Sequence, residues 1–129
     1  MGFWIFALLM ELLIPLIQLF FGIKFGKKPP EEINYLYGYR TKRSMKNDDT
    51  WRFANKYMGK LWTVMGLILI PVSAIASVFT LGKGKDTIGN ACVVIIWVQL
   101  ALLFISIFIV EKALKKEFDD NGNRKNKEN

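Results

Sequence analysis

Two groups of residues in this chain have the types and spacing for chemistry. The first lies between Asn34 and Lys60, the one long polar stretch before the C-terminal tail. Here Tyr35, Tyr37 and Tyr39 alternate with Leu36, Gly38 and Arg40, and Thr41 and Ser44 follow. An arginine offers a planar, permanently charged fork that suits phosphate or carboxylate. A turn at Gly38 would present Arg40 to such a group. The competing reading is a row of interfacial tyrosines beside snorkelling basic side chains, and residue chemistry alone favours it. The second group lies in an apolar run: Glu11, Pro15 one turn later, and Gln18 seven residues from Glu11, hence on the same helix face. A carboxylate in hydrocarbon is costly, so Glu11 is expected to face the interior of a helix bundle. A proline at that position kinks a helix and frees a backbone carbonyl.

Catalysis has little to work with. There is no histidine, which removes the commonest general base and metal ligand. Asp48 and Asp49 are adjacent acids at a helix start, better explained by the helix dipole than by a metal. The single cysteine, Cys92, can form no intrachain disulfide. Gly82-Lys83-Gly84-Lys85-Asp86 lacks the strand and the residues of a phosphate loop. No catalytic residue, metal site or cofactor is expected, and the chain reads as a non-enzyme.

The elements that must position these groups come from the hydropathy pattern. The chain has 129 residues, enough for one domain, and its apolar residues cluster in three blocks. Such clustering predicts an all-α membrane protein with spans over about 2–23, 61–81 and 88–110. No Lys or Arg precedes the first block and no small-residue cleavage site follows it, so it reads as a retained span. Gly22 and Gly26 have a small-xxx-small spacing, a pattern that is common by chance. Pro29-Pro30 forces an extended exit from the first span. After a cap at Ser44, Asn47 or Asp48, the residues Trp51, Ala54, Asn55 and Met58 line one helical face, and Arg52, Lys56 and Lys60 the opposite one. This predicts an amphipathic cytoplasmic helix between the first and second spans, turning into the second at Gly59. Ser73 and Ser77 give the second span a small, weakly polar face for close packing. Residues 1–118 form the membrane domain, with 24–60 as its polar loop, and 119–129 are expected to be a disordered tail.

Charge sets the expected orientation. Of the eighteen Lys and Arg, the loop 24–60 holds ten, the tail six and the short turn after the second span two. Three spans put loop and tail on one side, so the N-terminus is expected outside and the C-terminus in the cytoplasm. The net charge of +7 is thereby accounted for by topology and lipid headgroups, and nucleic acid is not an expected partner.

Asn34, the run Tyr37-Gly38-Tyr39-Arg40-Thr41, Ser44, Trp51, the pair Ala54-Asn55 and Gly59 together resemble the signature of the SdpI family. The resemblance covers about thirty residues and agrees in spacing across the loop. It implies a bacterial cell-membrane protein. The family's named member is an integral membrane immunity protein that protects a toxin producer from its own secreted toxin. That member also holds an autorepressor at the membrane when toxin is present. It is longer, with additional spans before the signature. By this resemblance the binding residues are Asn34, Tyr37, Tyr39, Arg40, Thr41, Ser44, Trp51 and Asn55, with Gly38 and Gly59 shaping the backbone. The alternative is that the same residues lock the loop to the bundle. Expected partners are membrane lipids, a toxin peptide, a cytoplasmic regulator and a second copy of the chain. The competing function is a small transporter, or a subunit of one, that works as an oligomer and uses Glu11 with Gln18 in the membrane.

Overall fold

The computed structural model describes residues 1–34 and 38–125. They form three helices, α1 (Gly2–Lys27), α2 (Asp48–Val78) and α3 (Lys85–Glu117). Each contains an apolar stretch long enough to cross a membrane. At 1.5 Å per residue the 31 residues of α2 and the 33 of α3 reach about 46 Å and 50 Å, beyond the ~30 Å of a hydrocarbon core. The surplus of both helices lies at one end of the bundle, where residues 28–34 and 38–47 also lie. We call this the loop end, and the end bearing residues 79–84 the turn end.

The amphipathic helix expected between the first two spans does not exist as a separate element. Residues 48–60 are the first turns of α2, which runs unbroken through Gly59 into the apolar stretch. A glycine inside a helix costs about 1 kcal/mol relative to alanine, too little to break one that tertiary contact holds. That contact is with α1. A Cβ built on Gly59 would meet the Gly26 nitrogen and lie 2.7 Å from the Phe25 carbonyl carbon. One on Gly22 would lie 2.5 Å from Thr63 N, and one on Gly66 2.8 Å from Leu19 Cβ. Gly22, Gly26, Gly59 and Gly66 thus let the backbones of α1 and α2 approach closely, as small residues do in lipid.

The bundle is polar inside and apolar outside. Phe6, Phe20, Leu67, Ile75, Trp97 and Phe108 are exposed, whereas Glu11, Gln18, Ser73, Ser77, Gln99 and Ser106 are buried. Hydrocarbon around the bundle explains the inversion, because lipid solvates the apolar faces and only the interior can pair the polar groups.

At the loop end, Phe25, Tyr39, Ala54, Met58, Val110, Leu114 and Phe118 form an apolar core. The chain then reverses over residues 119–123, with Gly122 at φ +84°, and Lys125 N–H returns to the Glu117 carbonyl at 3.0 Å. Arg124 grips Asp49 through two 2.9 Å bonds and Glu117 at 2.7 Å. Residues 119–125 are thereby tied to the start of α2.

Candidate functional site

The signature loop is held by its own small polar side chains. Asn47 caps α2: its Oδ1 accepts from Thr50 N–H at 2.9 Å, and Thr50 Oγ1 accepts from Asn47 N–H at 3.0 Å. This reciprocal box satisfies two of the orphan donors at a helix start. Thr50 Oγ1 also donates to the Ser44 carbonyl at 3.0 Å, tying the cap to the loop. Ser44 Oγ accepts from Thr41 N–H at 2.9 Å and donates to the Tyr39 carbonyl at 2.9 Å. Trp51, fully buried, donates its indole N–H to the Pro30 carbonyl at 2.8 Å and so fixes the exit from α1.

Gly38 adopts φ +102°, which side chains disfavour, and a Cβ there would lie 3.1 Å from the Trp51 ring and 2.8 Å from Asn55 Oδ1. That close approach lets Asn55 Oδ1 accept from Tyr39 N–H at 2.6 Å, while Asn55 Nδ2 donates to the Trp51 carbonyl at 2.9 Å. Gly38, Trp51 and Asn55 therefore aim Tyr39 across the bundle.

Tyr39 meets Glu111 on α3. The phenol donates to Glu111 Oε2 at 2.6 Å, and Thr41 Oγ1 donates to the same oxygen at 2.8 Å. An ionised carboxylate only accepts, so both hydroxyls must donate. Arg43 Nε lies 3.7 Å from the other oxygen. Burial first, and then the bond and negative charge of Glu111, push the Tyr39 phenol well above its ordinary value. Glu111 is thus the hub of the loop end.

Sequence reasoning placed neither Glu111 nor Arg43 in the site. Glu111 was readable only as the first acidic residue beyond the third apolar block. Arg40, the expected ligand-binding arginine, is exposed, and Arg43 occupies the place beside the carboxylate. Asn34 is half-buried and bonds the Glu32 carbonyl at 3.1 Å. Tyr37 lies outside the described residues.

A second polar centre sits among the spans, nearer the turn end. Glu11 is 2% exposed and accepts from the Ser77 hydroxyl on α2. Pro15 has no N–H for the Glu11 carbonyl, and Gln99 of α3 supplies one instead, at 2.7 Å. The same amide nitrogen donates to Ser73 Oγ at 2.9 Å. Trp4 closes the centre toward the turn end, bonding the Ser77 carbonyl at 2.8 Å and Thr80 Oγ1 at 3.1 Å. Gln18 is buried deeper, its amide nitrogen 3.6 Å from Met65 Sδ. The amide oxygens of Gln18 and Gln99 are buried without a partner among the described residues. Gln99 and Glu111 are twelve residues apart on one helix, so the two centres are separated by about 18 Å.

Each centre sets a hydroxyl against a carboxylate, Ser77 on Glu11 and Thr41 on Glu111. Among the described residues no three His, Cys, Asp or Glu side chains meet to hold a metal ion. The arrangement can bind and couple: a loop latched to one span, and a carboxyl group enclosed by three.

The family model described as the SdpI/YfhL protein family matches residues 31–110. The chain belongs to that family. The matched region encloses the capped loop, all of α2 and α3 as far as Val110. Glu111 is the first residue beyond it, and Glu11 lies in α1, well before it. The chain is also similar to "Uncharacterized protein YfhL" of Bacillus subtilis (strain 168), with 32% identity over 94 residues, 73% of this chain and 76% of that protein. No solved structure matches the chain.

Proposed function

We propose that this family member is an integral membrane immunity or sensor protein that binds a membrane-active toxin peptide and performs no catalysis. The observation that carries the reading is the convergence of Tyr39, Thr41 and Arg43 on Glu111. The carboxylate stands at the end of a span, and the loop hangs on it. A peptide that shifts α3 within the membrane changes the grip on the loop, so an event among the spans is felt at the loop end. In this proposal the loop end is cytoplasmic and the N-terminus outside, in keeping with the concentration of Lys and Arg at the loop end. The exposed Arg40 and Lys42 then face a cytoplasmic regulator.

The test is protection. A toxin-sensitive bacterium expressing the chain is challenged with a panel of membrane-active peptides, beside Glu111→Ala at matched membrane levels. Survival with the wild type and its loss in the variant is the expected outcome. Wild-type cells as sensitive as the parent to every peptide would refute the immunity reading.

A second reading, a small transporter working as an oligomer, is favoured by the enclosure of Glu11 by three helices. Solute or ion flux in liposomes that disappears in Glu11→Gln, without protection of cells, would put it first.

A further inference from the structure

The centre around Glu11 has more acceptors than donors. Its acceptors are the two carboxylate oxygens, the Glu11 carbonyl freed by Pro15, the Gln99 amide oxygen and the hydroxyls of Ser73 and Ser77. Its donors are those two hydroxyls and the Gln99 amide nitrogen. The imbalance leaves the Gln99 amide oxygen buried with no partner among the described residues. An unsatisfied buried oxygen is rare in native proteins and points to an unseen water or ion.

Charge points the same way. No Lys or Arg lies within 3–23, 61–81 or 88–110, so no basic side chain inside the bundle offsets Glu11. Bare charge in a medium of low dielectric is costly unless it is paired. The one other titratable side chain that faces the centre from α1, α2 or α3 is Cys92, whose thiol donates to the Ala7 carbonyl at 3.7 Å and brings no positive charge. Lys83, Lys85 and Asp86 at the turn end are exposed.

We infer that the Glu11 centre binds a small monovalent cation, a proton or Na⁺. Glu11 supplies the charge, and Ser73, Ser77 and the Gln99 amide oxygen supply neutral oxygens, the ligand class of hard cations. Trp4, whose indole bonds both Thr80 and Ser77, stands between the site and the turn end. The occupied site joins α1, α2 and α3 through one ligand, so occupancy tightens their packing. This assignment does not depend on the immunity reading, which rests on the opposite end of the bundle.

The experiment uses the purified full chain in detergent micelles and follows its thermal unfolding. In one arm NaCl replaces choline chloride at constant pH and ionic strength. In the other the pH is lowered without Na⁺. A ligand ten-fold above its dissociation constant multiplies the folded-to-unfolded ratio by about eleven. The expected result is an unfolding midpoint raised in one arm, with the response flattened in Glu11→Gln. A Na⁺ response identifies the metal ion, and a pH response alone identifies the proton. A wild type flat in both arms overturns the assignment, as does an undiminished response in Glu11→Gln. Should that variant not fold, the double change Ser73→Ala with Ser77→Ala replaces it. There a weakened Na⁺ response or an undiminished pH response supports the site, since the lost Ser77 donor favours the protonated carboxyl, and a full Na⁺ response or a weakened pH response overturns it.

Discussion

Replacing Tyr39 and Glu111 singly and together tests whether the loop is latched to α3. Hydrogen bonds to charged groups contribute about 1.5–3 kcal/mol each. Glu111 keeps 26% of its side chain exposed, so the lower half of that range applies. Tyr39→Phe removes one bond and leaves Glu111 its contacts with Thr41 and Arg43. It should cost about 1.5 kcal/mol. Glu111→Ala removes both hydroxyl partners, but the Tyr39 phenol keeps the Ile107 carbonyl at 3.3 Å. It should cost about 2–3 kcal/mol. Because the two changes destroy the same bond, the double variant should fall short of additivity by about 1 kcal/mol. Arg43→Ala is the control: at 3.7 Å and 28% exposed it should cost under about 1 kcal/mol. Reversible unfolding by a rising fraction of sodium dodecyl sulfate in mixed micelles measures all four. Additivity of Tyr39→Phe and Glu111→Ala within about 0.3 kcal/mol would refute the latch.

Two further outcomes follow from the same geometry. The Tyr39 phenol is raised above its ordinary 10.0. In the unfolded chain it ionises near that value while in the fold it stays neutral, so its contribution is intact below pH 10.0 and declines as pH rises beyond it. Alkaline titration followed by phenolate absorbance should show a phenol that resists ionisation, and Tyr39→Phe should remove it; a Tyr39→Phe difference that titrates normally would count against the buried bond. Gly59→Ala should destabilise the bundle by about 1–3 kcal/mol through the backbone of α1. Gly89→Ala, whose Cβ would lie 3.8 Å from the Phe3 ring, should be neutral or better, and equal effects of the two would show that Gly59 is not a contact point.

Much of the architecture was legible along the chain. Three apolar blocks predicted three spans, because a helix in hydrocarbon must be long and apolar over its own length, and that is a local property. Glu11, Gln18, Ser73 and Ser77 were expected to face inward, since only the interior can pair a polar group in lipid, and all four are buried. The helix cap was narrowed to three residues, of which Asn47 is the one used.

The separate amphipathic helix was misread for a physical reason. A cationic stripe opposite an apolar face describes a surface helix and the protruding start of a long span equally well. Gly59 reads as a bend when α1 is not in view, and as a contact once Gly26 lies against it.

Along the chain, the apolar blocks and the polar residues within them were enough to set the number of spans and their inward faces, and the signature residues between Asn34 and Gly59 carried the resemblance to the family. The partners of the site belong to the fold. Tyr39 and Glu111 are 72 residues apart, and Glu11 and Gln99 are 88 apart. Nothing local selects one carboxylate or amide among several. How closely α1 and α2 pack, and where α3 lies against them, brings those particular groups within hydrogen-bond reach.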